Sequence, residues 1–220
     1  AEEDLTKAVA IDPQAWRARH ALSRFHLDRG RISEALETTA RSLAVSPGEA
    51  ALQSDRVEAL LAAGRPGEAA VLLDRIEALP SEGASALHAL FVRCRIMMAV
   101  EAMRLKDYAA ALESLDLAKT YPERLGTGQP FDPDWRLQDY LRAICLEQLG
   151  RKDEAREIKT GIAEMTLKNP DWPGRGRVAG AIVLKEMGEA SKARAIAREE
   201  RPDAELEGWL RAVRRGPAAS

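Results

Sequence analysis

Three histidines, two cysteines and several close carboxylates are the residues of this chain whose types could bind a metal or move a proton. His20, His26 and His88 form no HxxxH or HExxH pair and lack nearby cysteine partners, so the spacing gives no zinc site. Cys94 and Cys145 both sit inside apolar helical patterns and read as small buried hydrophobes rather than as a disulfide framework. A nucleophile needs a base and an orienting group beside it, and no Gly-x-Ser-x-Gly or comparable arrangement occurs. Glu34 with Glu37, and Glu199 with Glu200, are pairs that any chain with 31% charged residues makes by default. Gly126 and Gly128 make no phosphate loop, because no strand precedes them and no Lys-Ser/Thr follows. The residues therefore predict no catalytic group, no metal and no cofactor, and a chain that is not an enzyme. Arg17, His20 and Arg24 stand at i, i+3 and i+7 on one helix face, which suits either a modest anion or carboxylate site or a solvated basic face.

The elements that carry these side chains follow from composition. The 220 residues are 45% hydrophobic but only 5% aromatic, with Ala, Leu, Arg and Glu dominant, which favours helix over strand. Thirty-three basic and 35 acidic residues leave a formal charge of -2, so no global field attracts nucleic acid. No run of eighteen apolar residues is present, and AEEDLTKAV has neither a charged n-region nor an apolar h-region, so no membrane partner is expected. The chain opens without Met partway through a helical pattern, which suggests a piece of a longer protein. A cytoplasmic location is expected, or a periplasmic one if an export signal precedes this segment.

Periodicity is the strongest signal. Pro13 and Pro47, Gly30 and Gly64, and Ala35 and Ala69 are each 34 apart. The interval then lengthens, with Ala111, Ala155 and Ala193 following at 42, 44 and 38, and Gly150 and Gly188 again 38 apart. A period near 34 marks a helix-turn-helix solenoid. RGRISEALETTARSLAVSP, AGRPGEAAVLLDRIEALP, LKDYAAALESLDLAKTYP, LGRKDEAREIKTGIAEM and MGEASKARAIAREERP resemble the turn and second helix of the tetratricopeptide repeat (TPR) family. That unit has a Gly in the turn between helices A and B, a small residue in helix B and a Pro after it. The Gly positions permit positive φ where helix A stops, and the Ala positions let two helices approach closely. The sequence departs from the family at its aromatic position, held by His26 and then Leu60, and at Lys106, which replaces the turn Gly.

The resemblance implies an all-α, right-handed α-α superhelix: one domain over 1–220, with a half-repeat at 2–11, pairs at about 15–46, 49–79, 84–119, 134–168 and 175–200, and a cap at 203–215. Two features interrupt it. The helix from Ala84 to Leu105 is about eight residues too long and carries His88, Phe91, Met97, Met98 and Met103, as core filling or as an adaptable apolar wall. Residues 120–135 replace a short connection, as a spacer or as a partner-binding or domain-docking loop. YPERLGTGQPFDPDWRLQDYLRAICLEQLGRKDEA also resembles a bacterial family in which TPR units follow a mutarotase-like domain.

In TPR stacks the helix A side chains line a concave groove, and the resemblance places Arg17, His20, Arg24, Asp55, Glu58, Arg93, Met97, Tyr140 and Ile144 along it. Leu61, Leu137 and Leu141 fall in the same register. The groove is basic at one end and more apolar at the other. His20, Arg24 and Asp55 stand where the chaperone-binding type has Lys and Asn, which disfavours chaperone tails. Trp16, Trp135 and Trp172, near the starts of A helices, read as wedges between units or as sugar platforms, and Trp209 as a cover for the end of the core. The implied function is a scaffold that binds a protein or peptide in the groove, as a monomer or weak dimer. The alternative is an intramolecular scaffold that docks an N-terminal carbohydrate-handling domain.

Overall fold

A computed structural model describes residues 1–78, 80, 84–198 and 203–215. The expected ends of the second pair at 79 and the fifth at 200, the Glu199 and Glu200 pair, and the end of the C-terminal tail lie outside these residues. The fold is all-α. In chain order the helices are α1 (Glu2–Ile11), α2 (Trp16–Asp28), α3 (Ile32–Val45), α4 (Ala50–Ala62), α5 (Pro66–Leu73), α6 (Ala84–Arg104) and α7 (Tyr108–Leu117). Then come α8 (Arg136–Gln148), α9 (Lys152–Lys168), α10 (Arg175–Glu186), α11 (Ala190–Ala197) and α12 (Ala204–Arg215). The chain divides into two compact units, residues 1–94 with 121–128, and residues 95–120 with 129–220.

One turn is repeated five times. Gly30, Gly64, Lys106, Gly150 and Gly188 end helices α2, α4, α6, α8 and α10 with φ of 65°, 68°, 62°, 78° and 89°. At each, the N–H of the next residue donates to the carbonyl five residues back, as Arg31 does to His26 at 3.0 Å and Glu189 to Leu184 at 2.9 Å. The N–H of the left-handed residue itself reaches a carbonyl three residues back. Orphan carbonyls at the end of helix A are thereby satisfied while the chain reverses into helix B. Lys106 takes the same conformation without being glycine, and Asp107 beside it caps α7 by accepting from the Ala110 N–H at 3.0 Å.

Five residues after each left-handed residue stands an alanine. Ala35, Ala69, Ala111 and Ala155 are fully buried and Ala193 is 6% exposed, so each B helix meets its neighbours through a methyl group. In the second unit the approach is closer still. A Cβ on Gly180 of α10 would lie 2.1 Å from Thr166 Oγ1 of α9, and one on Gly176 would lie 2.2 Å from Asp134. Only glycine fits at these contacts.

Between these helices lies a buried polar node. Arg136, 1% exposed, pairs with Asp134 at 2.7 Å and donates to Thr166 Oγ1 at 3.3 Å and the Trp172 carbonyl at 3.4 Å. A buried guanidinium is tolerated when its donors are met in this way. Arg19, Arg56 and Arg177 follow the same habit, donating to the carbonyls of Pro13, Leu36 and Ile196 at 2.7, 2.7 and 2.8 Å.

The long helix and the long connection turn out to be related. α6 has 21 residues against 13 in α2, α4 and α8, and its first half, Ala84–Cys94, belongs to the first unit. There Phe91 and Cys94 are buried, and His88 stacks on Tyr121 with ring centroids 4.0 Å apart. The connection is not open coil: Glu123–Leu125 forms a 3-10 turn, Leu125 is fully buried, and the Ala78 N–H donates to the Arg124 carbonyl at 2.7 Å. Phe131, by contrast, is 99% exposed.

The tryptophans differ from expectation. Trp16, Trp135 and Trp172 are half-buried rather than wedged in a core. Arg17 lies over the Trp16 ring at 4.6 Å and Lys119 over the Trp135 ring at 4.7 Å, so these two indoles serve as cation platforms at the surface. Trp209 is buried, with Arg175 over its ring at 4.5 Å.

Two substitutions test the turn and the close approach. Lys106→Gly removes the left-handed strain of an L side chain and should raise stability by about 0.5–1 kcal/mol in urea denaturation. Gly180→Ala forces a methyl group into Thr166 and should cost about 1–3 kcal/mol in the same measurement.

Candidate functional site

Counting back from the left-handed residue gives each A helix a common register. Six residues before it stand Arg24, Glu58, Val100, Ile144 and Ile182, and ten before it stand His20, Ser54, Ile96, Tyr140 and Val178. The positions are charged or polar in the first unit and mostly apolar in the second. The first-unit positions carry both signs of charge rather than the basic end expected from the sequence.

In the first unit, α2 packs beside α4 and brings four expected groove residues together. His20 Nδ1 lies 2.8 Å from Asp55 Oδ2. Arg24 donates to Glu58, one repeat away, and to Asp28 Oδ1 at 2.9 Å. The cations on this face are therefore already matched, with Arg24 between two carboxylates and Arg17 over its neighbouring indole. The arrangement is a mixed, internally balanced strip rather than an open anion site. A ligand here would have to exchange partners with the existing pairs, which favours specificity over affinity.

Asp55 is the unusual member. Its side chain is 3% exposed while that of His20 is 39% exposed, so the carboxyl is withdrawn from water and the imidazole edge is not. Burial pushes the Asp55 carboxyl up to about 6, and the Glu58 charge adds to the rise. The His20 hydrogen bond and the Arg24 charge pull the other way without overcoming burial. On the neighbouring turn of α2, Ser23 is fully buried, and its hydroxyl has no partner among the described residues.

The remaining expected residues are placed differently. Arg93 is half-buried and belongs to the first unit. Met97 and Ile144 are half-buried in the second. Tyr140, expected on the groove wall, is 2% exposed and its hydroxyl donates to Glu186 Oε1 at 3.0 Å, tying α8 to α10. Leu61, Leu137 and Leu141, in the same expected register, are buried as well. An i, i+3, i+4 count identifies a helix face but not how deeply a neighbouring helix covers it, which is why these residues were legible as a face and not as core.

Sequence reasoning missed the cavity on the last helices of the second unit. It measures about 670 Å³ and is lined by Val178, Ile182, Lys185, Arg194, Leu206 and Glu207, among others. Among the described residues no group of three or more His, Cys, Asp or Glu could hold a metal ion, and no helix is long and apolar enough to cross a membrane. Burial pushes the Cys145 thiol up to about 11, the opposite of what a nucleophilic thiol needs.

The Asp55 geometry has a consequence for stability. A carboxyl whose folded value, about 6, lies above its ordinary value of 3.8 binds its proton more tightly when folded. Its contribution to stability is full below the lower value and is lost as pH rises through about 6. Asp55→Asn should flatten this component of stability in urea melts taken from about pH 4 to about pH 7, while Glu58→Gln should keep most of it.

Residues 1–54 match the family model described as tetratricopeptide repeat. No curated protein matches the chain. Among solved structures, YrrB, described as a TPR protein with an unusual peptide-binding site, is 16% identical over 97% of this chain and 100% of its own, with a TM-score of 0.48. The kinesin light chain nearly identical TPR-like repeats of Podosopora anserina, in a single-substitution variant, are 17% identical over 93% of this chain and 98% of theirs, with a TM-score of 0.47. The family match covers the first 54 residues, and beyond it the same left-handed turn followed by a buried alanine recurs in four further helix pairs among the described residues.

Proposed function

We propose that the chain is an interaction scaffold that holds a peptide or protein segment against the inner faces of its A helices. Helix-pair repeats stack so that one set of helices offers a continuous surface, and TPR proteins use that surface for partners. The observation that carries the reading is the pairing one repeat apart in the first unit, Arg24 with Glu58 beside His20 with Asp55. Polar side chains of both signs are held there in fixed positions on adjacent A helices. Such a strip recognises a partner by the order of its charges, and rigid placement reduces the ordering cost of binding.

The exposed Arg17 and the half-exposed members are the ones that a partner can reach. Arg17, His20, Arg24 and Glu58 present polar atoms at the surface, whereas Asp55 acts from behind by fixing the His20 ring. The hydroxyls near the His20–Asp55 pair are otherwise engaged or enclosed: Ser54 donates to the Ala50 carbonyl at 2.9 Å, and Ser23 is fully buried.

A peptide selected from a displayed library against the whole chain tests the proposal. It should slow amide exchange in α2 and α4, and Arg17→Glu or Glu58→Lys should weaken it about tenfold. Peptides that protect only the B helices α3 and α5 and ignore both substitutions would count against the proposal.

A further inference from the structure

The cavity of about 670 Å³ in the second unit lies between α10, α11 and α12. Its walls are set by repeat register. Val178 and Ile182 of α10 stand ten and six residues before the left-handed Gly188, the positions held by His20 and Arg24 before Gly30. In the first unit those positions are filled by ion pairs that reach across to α4. In the second they carry aliphatic side chains with nothing charged to pair, and Ala181, Ala190, Ala193 and Ala197 around them are too small to close the space.

From this we infer that the α10–α11–α12 cavity is the apolar anchor seat for the partner, and that its occupant is an amphipathic helical peptide with aliphatic residues at i, i+3 and i+4 and an acidic flank. The inference rests on the scaffold reading above. The volume falls in the range of about 300–1,000 Å³ that holds a drug-sized group, more than one aliphatic side chain fills. A pair or triplet of leucines on one helix turn suits a groove walled by three helices.

Charge selects the flank. Lys185 of α10 and Arg194 of α11 are exposed cations lining the cavity on one side. On the α12 side stand Asp203 and Glu207. Asp203 is committed to Arg175, at 2.7 Å, and to the Leu206 N–H, at 2.9 Å, which leaves Glu207 as the acid at that edge. Two cations against one exposed acid favour an acidic partner residue on the α10–α11 side. The same comparison for the first unit gives a balanced strip, so charge order distinguishes that unit and an apolar seat distinguishes the second.

The probe is a fluorescein-labelled synthetic helix of about 16 residues, long enough for four turns, with leucines at i, i+3, i+4 and i+7 and glutamates on one flank. Two controls accompany it, one with lysine for each glutamate and one with alanine for each leucine. Anisotropy titration against the whole chain should give saturable binding of the acidic leucine peptide and at least about tenfold weaker binding of both controls. Ile182→Glu should weaken the acidic peptide about tenfold, and Lys185→Glu with Arg194→Glu should reverse the preference toward the lysine peptide, with thermal melts confirming that each variant is folded. Equal binding of acidic and basic peptides, or binding that ignores Ile182→Glu, overturns the anchor seat. If the library peptide still depends on Arg17 and Glu58 in that case, the scaffold reading stands without it. If neither site responds to any peptide, both fall. Binding of dodecanoate at this cavity, with no binding of the leucine peptide, also overturns the inference, because it assigns the seat to a lipophilic anion.

Discussion

Two helices can cross closely only where the side chains at the crossing are small, and this chain meets that condition at every pair. The alanine five residues after each left-handed turn is the point where a B helix is admitted to its neighbours. A larger residue there would hold the helices apart and lose dispersion contacts all along the interface. The left-handed residue fixes the direction of helix B, and the alanine fixes its distance. Together they put each described A helix in the same register relative to its own turn. In the second unit the constraint is tighter. Gly176 and Gly180 leave no room for a methyl group beside Asp134 and Thr166, so the Arg136 node is enclosed by backbone.

Once the spacing is set, the choice of residue at the inner positions decides what each interval becomes. Arg24 and Glu58 occupy the same place in successive repeats and carry opposite charges, so they neutralise each other across one repeat and close the interval between α2 and α4. Val178 and Ile182 occupy equivalent places in α10 and leave an interval that only apolar matter fills well. The same register positions thus hold a charged strip in the first unit and, together with the small residues of α11 and the side chains of α12, one wall of an apolar cavity in the second. Function in a repeat protein lives in these substitutions rather than in the fold.

Buried arginines supply a second theme. Arg19, Arg136 and Arg177 are each below 10% exposed, and each donates to a backbone carbonyl near the edge of a helix pair. Their aliphatic stems pack while the guanidinium satisfies carbonyls of the interhelix connections, Pro13 and Trp172, and of the last turn of α11, Ile196. Asp55 shows the opposite balance. It is as withdrawn from water as these arginines, but its partners do not compensate fully, and its carboxyl keeps its proton to a higher pH than an exposed aspartate does.

The helix pairs, the turn glycines, the small residue of each B helix and the excess length of α6 were all legible in the sequence. Each depends on the backbone or on spacing along a single helix, and such constraints leave a residue type at a fixed interval. Lys106 could be read as a departure from the glycine pattern, but that it adopts the same left-handed φ required coordinates. Tertiary structure alone decided which of the residues expected along the A helices are exposed. Tyr140 and Ile144 share a helix face by count, yet α10 supplies Glu186 to the Tyr140 hydroxyl while Ile144 stays half-exposed. The Trp platforms, the docking of residues 121–128 against the first unit and the cavity among α10, α11 and α12 are likewise products of distant segments meeting. Sequence periodicity determines which side of a helix a residue occupies, whereas burial and pairing depend on what the neighbouring helix places opposite it.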